Sequence, residues 1–272
     1  MSDDIAGAEP SLRSVRLFGV DVSVEDYEAT TNWLLRCARE QRNVIVEHLA
    51  VHNLVSAVRD PHFLRTLQDY DVVTADGQPI CFAIRLLHGV RLDDRVTARE
   101  LMLKLCATAA WRGLPIYLYG DEEGTVQRLR ERLLARFPRL QIAGCEGSVF
   151  RALTSDEDAA LVQRINASGA AFVFIALGCP FQEFFVRAHR DRVRAIQLCV
   201  GSAFKGLAGD RRIAPRWVQR TSLEWLFRLA QDPVRLGKRY LVSNTLFIAL
   251  LWRAWWRQRL GALASRSRPR NA

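Results

Sequence analysis

The chain has 272 residues, 49% of them apolar and 25% charged, with a formal net charge of +10. That length suits one large domain, or one domain with an appendage, and the composition excludes a disordered or fibrous chain. Six scattered cysteines without a C-x-x-C pair argue against disulfides and structural zinc, and the acidic opening "MSDDIAGAEPSL" argues against a secretory signal.

Residues 1–12 are expected to be a disordered N-terminus. "SVRLFGVDVS" reads as an opening strand or hairpin, and Ser23 with Asp26 predicts a capping box for a helix running to about Arg42. "NVIVEH" is a strand, followed by helical "VHNLVSAVRD" and "HFLRTLQD". A short strand "DVVTA" leads into the helix "QPICFAIRLLHG", and another helix is expected near 98–112. "LPIYLYG" is a buried strand, and the helix from Glu122 to Phe137 stops at Pro138. The strand "LQIAGCEG" precedes a helix capped by Thr154 and Glu157 that ends at Ser168-Gly169. "AFVFIALG" is the most strand-like run; a helix after Pro180 and the strand "AIQLCVG" follow. From about Ala214 the pattern is helical only.

This alternation predicts an α/β fold: a Rossmann-like, mostly parallel sheet with helices on both faces, plus a C-terminal helical appendage. The expected division is a core over 13–210 and a basic, membrane-associating appendage over 211–272. From Lys205 onward the charge is +12, against −2 for the preceding residues. A basic tail on a near-neutral body points to an anionic partner.

Open sheets of this kind bind ligands beyond the carboxyl ends of their strands. Asp76, Gly120-Asp121, Gly178-Cys179 and Gly201-Ser202 all stand at such ends, so four exits are expected on one edge. "DYDVVTADGQPI" places Asp76 where a buried strand stops and a helix begins, either as part of an Asp-Gly turn or as a catalytic base. "YGDEEG" lacks G-x-G-x-x-G, leaving a strand-to-helix turn with free N–H groups able to meet a phosphate. "HLAVH" has metal-pair spacing at His48 and His52, without the glutamate or a third ligand. Neither "DYD" nor "DED" ends a strand, so both read as structural. "GCPFQE" is either an ordinary turn with Pro180 at the helix start or a first helical turn that aims Gln182 and Glu183 at the proposed site. Arg95 in "RVTARELM" is either a phosphate ligand or a surface arginine.

In that order, the segments "VVTADGQP", "DRVTARELM", "LPIYLYGDEEG", "ALGCPFQE", "VGSAFKGLAGD" and "APRWVQRTSLEWLFRLAQDPVRLGKRYL" resemble the WecG/TagA/CpsF glycosyltransferases, glycosyltransferase family 26, over about 15–248. The resemblance implies transfer of an N-acetylmannosamine-type sugar, its uronic acid or another hexose from UDP. The acceptor would be a polyprenyl-diphosphate-linked saccharide of cell-envelope or exopolysaccharide synthesis. It further implies Asp76 as general base and Arg95 and Gln182 as substrate contacts. Arg216, Arg220, Arg228, Arg235 and Arg239 would close over the diphosphate. His48, Gly120, Asp121, Glu183 and Gly201 complete the expected substrate-binding set. Three positions depart from the family pattern: His48-Leu49-Ala50 replaces T-x-N, Lys205 replaces an aspartate, and Ile213 replaces a basic residue.

The chemistry expected is inverting and metal-independent, with no cofactor, because arginines can bind phosphate oxygens bidentately. Between Arg239 and Arg253 lie 13 uncharged residues, too few for a span of about 20. Trp252, Trp255 and Trp256 beside Arg253, Arg257 and Arg259 suit an interfacial helix, so the expected location is cytoplasmic, on the inner face of the cell membrane. The competing reading of that helix is packing on the core or between subunits of a homo-oligomer. Two rival functions are a nucleic-acid binder using the same basic tail and a nucleotide-dependent oxidoreductase. Aromatics clustered with aliphatics disfavour the first, and the missing dinucleotide fingerprint disfavours the second.

Overall fold

Strands rich in β-branched and aromatic residues, separated by amphipathic helices, assemble into one eight-stranded sheet. The computed structural model describes residues 12–215, 217–218 and 223–266, so the terminal segment read as disordered lies outside the described residues but for residue 12. The strands are β1 (Ser14–Leu17), β2 (Val20–Ser23), β3 (Ile45–Leu49), β4 (Val72–Ala75), β5 (Ile116–Gly120), β6 (Ile142–Glu146), β7 (Phe172–Ala176) and β8 (Ile196–Cys199). Their order is β1-β2-β4-β3-β8-β7-β5-β6, with only the β1–β2 hairpin antiparallel. The helices are α1 (Tyr27–Arg39), α2 (Val51–Arg59), α3 (Pro61–Gln68), α4 (Gln78–His88), α5 (Ala98–Arg112), α6 (Glu123–Arg136), α7 (Ser155–Ala167), α8 (Phe181–Ala188), α9 (Ala203–Ala208), α10 (Glu224–Gln231) and α11 (Pro233–Arg266).

The central strands are buried on both faces, which is why they read as continuous apolar runs. Alternate residues feed two cores. Val46, Leu118, Phe172, Phe174 and Leu198 enter one. Ile45, Leu49, Val173 and Ile175 enter the other, together with Phe247 and Leu251 of α11.

Two local expectations are corrected. Asp26 alone caps α1, accepting from the Ala29 N–H at 2.8 Å, because Ser23 is still paired within β2. The helix also ends at Arg39, short of Arg42. The short helix α9 was not anticipated; Asp210, just past its end, anchors it by accepting from Thr125 Oγ1 (2.6 Å) and Arg128 Nε (2.8 Å) of α6. The Thr154–Glu157 capping box forms as expected.

The last helix packs on the core through one face and leaves another exposed. Leu236, Ser243, Phe247 and Leu251 are buried, and the helix lies on α2 and α4, with Gln258 Nε2 donating to the Leu87 carbonyl at 3.1 Å. Leu241, Ile248, Trp252, Trp256 and Leu260 stay exposed. Among the described residues no helix is long and apolar enough to cross a membrane.

Candidate active site

Asp76 is positioned by β4. Val72, Val73 and Ala75 are buried, and the Asp76 N–H donates to the Leu49 carbonyl at 3.1 Å, carrying the sheet pairing to the last residue before the turn. Gly77 and Pro79 then start α4. Burial pushes the Asp76 carboxyl up to about 7; Arg228 and Arg95 pull against that rise, and Glu224 adds to it.

Those three charged groups form the wall opposite. Arg95 is buried and ion-paired with Glu224 of α10, not the surface arginine of the alternative reading. Glu224 Oε1 also accepts from Arg228 Nη2 at 2.8 Å. Burial raises Glu224, but Arg228 and Arg95 outweigh it, so its carboxyl lies below the usual range. The appendage is thus tied to the core beside Asp76 by an Arg–Glu–Arg bridge.

Two adjoining cavities, of about 70 and 180 Å³, share Asp76, Ala98, Val200, Ser202, Arg211 and Arg228. The smaller also touches Arg95, Arg99 and Ile213; the larger reaches His48, His52, Asn53, Gln182, Gly201, Arg239 and Tyr240. Gly201 has φ +45°, and a Cβ there would stand 3.2 Å from Gln182 Oε1. A side chain at that position would push against the cavity wall.

His48 is fixed by a relay. The Thr74 hydroxyl donates to the Val96 carbonyl (2.8 Å) and so can only accept from His48 Nδ1 (2.7 Å). The proton therefore sits on Nδ1, and Nε2 is a bare acceptor, buried and unpartnered. Burial holds this imidazole down at about 4, so it is neutral at pH 7. His52 is held down to about 3, by burial first and then by Arg239 and Arg228.

Several expected site residues lie elsewhere. Gly120 and Asp121 do not line either cavity, because β5 lies two strands from β8 in the sheet. Gly120 is packing-driven: a Cβ would come within 2.5 Å of the Ala176 carbonyl oxygen. Asp121 accepts from the Glu122 N–H at 2.8 Å and pairs with Lys205 at 3.4 Å. Glu183 does not face the cavity but lies fully buried beneath it. Arg235 is in the first turn of α11, its side chain outside the described set, and Arg216 and Arg220 lie outside the described residues.

Glu47 and Asn53 were missed. Asn53 Nδ2 donates to Glu47 Oε1 (2.8 Å) and Glu183 Oε1 (3.0 Å), joining two buried carboxyls from β3 and α8. Burial, and then Glu183 beside it, pushes Glu47 well above the usual carboxylate range; burial raises Glu183 to about 6. Glu47 Oε2 and Glu183 Oε2 have no other hydrogen-bond partner, and two buried carboxyls coupled this closely favour keeping a proton between them. The signal was present as an acid inside the apolar run "NVIVEH".

The carboxyl edge of the parallel sheet thus sets a proton acceptor, Asp76, beside guanidinium groups that can meet an anion. The description "Glycosyl transferase WecG/TagA/CpsF family" matches residues 15–261, and the chain belongs to that family. It is similar to the N-acetylglucosaminyldiphosphoundecaprenol N-acetyl-beta-D-mannosaminyltransferase of Bacillus subtilis (strain 168), 28% identical over 183 residues, 66% of this chain and 68% of that one. The protein of the same name from Bacillus spizizenii (strain ATCC 23059 / NRRL B-14472 / W23) is 28% identical over 180 residues, again 66% and 68%.

Proposed function

We propose that this chain is an inverting, metal-independent hexosyltransferase. It moves a sugar from a UDP-sugar to a polyprenyl-diphosphate-linked saccharide during cell-envelope or exopolysaccharide synthesis. The observation that carries the reading is Asp76, a carboxyl raised to about 7 in a cleft faced by Arg228 and Arg95. Inverting transfer needs the acceptor hydroxyl to lose its proton as it attacks the anomeric carbon, and a base with that affinity is matched to neutral pH. The bond from the anomeric carbon to the diphosphate breaks as the new glycosidic bond forms, and negative charge gathers on the departing UDP. Arg228 and Arg239 in the larger cavity supply the compensating charge. The lipid-linked acceptor is supported by the names of the two Bacillus relatives.

The same acceptor favours a peripheral position on the inner face of the cell membrane. Ile248, Trp252, Trp256 and Leu260 are exposed on α11, among Arg253, Arg257 and Arg259. Aromatic and basic residues mixed on one helix face suit anionic lipid headgroups. The deciding experiment is UDP release from a panel of UDP-sugars with a short polyprenyl-diphosphate saccharide, with and without EDTA. Release that needs the acceptor, survives EDTA and disappears in Asp76→Asn supports the reading. Release abolished by EDTA overturns metal independence, and no release from any donor overturns the transferase assignment.

A further inference from the structure

Helix α10 brings Arg228 to the cleft, yet none of its residues is buried, and Leu223, Trp225 and Leu226 remain exposed. Packing alone therefore holds this helix weakly, and polar contacts set its place. Gln231 Nε2 donates to the Arg212 carbonyl at 3.2 Å, within the appendage. Glu224 reaches the core instead, giving one carboxylate oxygen to each of two arginines. Its Oε2 accepts from Arg95 Nη2. Its Oε1 accepts from Arg228 Nη2 (2.8 Å) and Nε (3.2 Å), one helical turn further on. Arg95 is itself buried, so the bridge is anchored on the core side.

Glu224 and Arg95 line the smaller cavity with Asp76 but not the larger one, whereas Arg228 lines both. The carboxylate thus backs Arg228 from the side away from the larger cavity, where the proposed function places the departing diphosphate. A guanidinium carries five N–H donors, so Arg228 keeps some for phosphate oxygens after its contacts to Glu224 are made. We infer that Glu224 is a positioning residue: it docks α10 on the core through Arg95 and holds the Arg228 guanidinium ready for the donor's diphosphate. The inference rests on the transferase reading above and deepens it. An arginine already held in one orientation loses less side-chain freedom when the diphosphate binds. The opposite role is an internal anion that fills the diphosphate's place until displaced. It would require Glu224 in the larger cavity, and its displacement would leave buried Arg95 without its partner, which is strongly unfavourable.

The test uses the full chain and measures UDP affinity, with melting temperature confirming the fold. Glu224→Gln keeps the shape and removes the charge, so its contact to Arg228 becomes a weaker one and UDP affinity should fall about fivefold or more. Glu224→Asp keeps the charge and shortens the reach, and it should bind UDP more tightly than Glu224→Gln. A merely structural role would reverse that order. Because Glu224 acts through Arg228, adding Glu224→Gln to Arg228→Ala should weaken UDP by less than about twofold further. Unchanged or tighter UDP binding in Glu224→Gln overturns the inference, and so do fully multiplied losses in the double variant. If Glu224→Gln does not fold, Glu224→Asp, alone and with Arg228→Ala, decides by the same criteria. Failure of the wild type to bind UDP overturns the transferase reading and this inference with it.

Discussion

The two sides of the cleft are built by opposite strategies. The sheet side, from β3, β4, α2 and α8, is dry: Glu47, His48, Asn53, Gln182 and Glu183 are all buried, and their hydrogen-bonding roles are set by neighbours. The appendage side is cationic and more accessible, with Arg228 half-buried and Arg239 exposed, and beside Asp76 it is tied to the core through the Arg95–Glu224 ion pair. A buried, prearranged wall holds its geometry without a ligand, while accessible guanidinium groups suit a leaving diphosphate. Asp76 sits at the seam, its proton affinity set by both.

The most damaging way to break that seam is Asp76→Asn. Turnover should fall about 10²–10⁴-fold while UDP affinity holds, because only the proton acceptor is lost. In the wild type, the base works when ionised, so the rate should decline about tenfold per pH unit below about 7. An acid limb near pH 4 would show that the carboxyl is not held up by burial, and turnover within threefold of wild type would remove Asp76 as base.

Arg228→Ala tests the cationic side and its influence across the cleft. UDP affinity should drop about tenfold or more, since hydrogen bonds to charged groups contribute roughly 1.5–3 kcal/mol. Arg228 also favours the ionised form of Asp76, so its loss should move the acid limb of the pH profile upward. A weaker UDP complex with an unmoved limb would separate the diphosphate role from the electrostatic one.

The exposed stripe of α11 offers a milder cut. Because Phe247 and Leu251 pack into the core, deleting the helix would confuse anchoring with folding. Ile248→Ser, Trp252→Ser and Trp256→Ser together touch only the outer face and leave those contacts in place. The triple variant should release the chain from anionic vesicles and lower activity on long-chain lipid acceptors more than on short soluble ones. High salt should release the wild type, given about 1 kcal/mol per basic residue near an anionic surface. Unchanged partition would mean that this face is covered by protein.

Much of the sheet was readable because its strands and helices differ in period and end in clear turn chemistry. "AFVFIALG" and "DVVTADG" announced β7 and β4 without help from distant residues. Lateral strand order was not readable, and it is what leaves Gly120 and Asp121 outside both cavities: strand exits share an edge, but β5 is two strands away from β8. The Asn53–Glu183 contact spans 130 positions and Arg95–Glu224 spans 129, separations at which no local pattern signals a partner. Arg95 therefore read equally well as a ligand or a surface group, and Glu47 passed as one strand residue among others.

The smallest expected effect comes from Glu47→Gln, which tests whether the dry wall stores a proton. Unfolded, both acids ionise near 4.5; folded, the pair retains a proton well above that. The native state then binds more protons than the unfolded one, so wild-type stability should fall as pH rises from about 4.5 towards 8. A glutamine at 47 mimics the protonated acid: its amide can still accept from Asn53 and can donate to Glu183 in place of the shared proton. The variant should show a shallower loss of melting temperature over that pH window. At pH 8 it should melt above wild type, by about 2–4 °C for each kcal/mol recovered. At pH 4 the two proteins should converge, because the wild-type pair is then protonated in both states. A variant that melts below wild type at pH 8 would mean that Glu47 is ionised in the folded protein and that its charge, not a shared proton, orients Asn53.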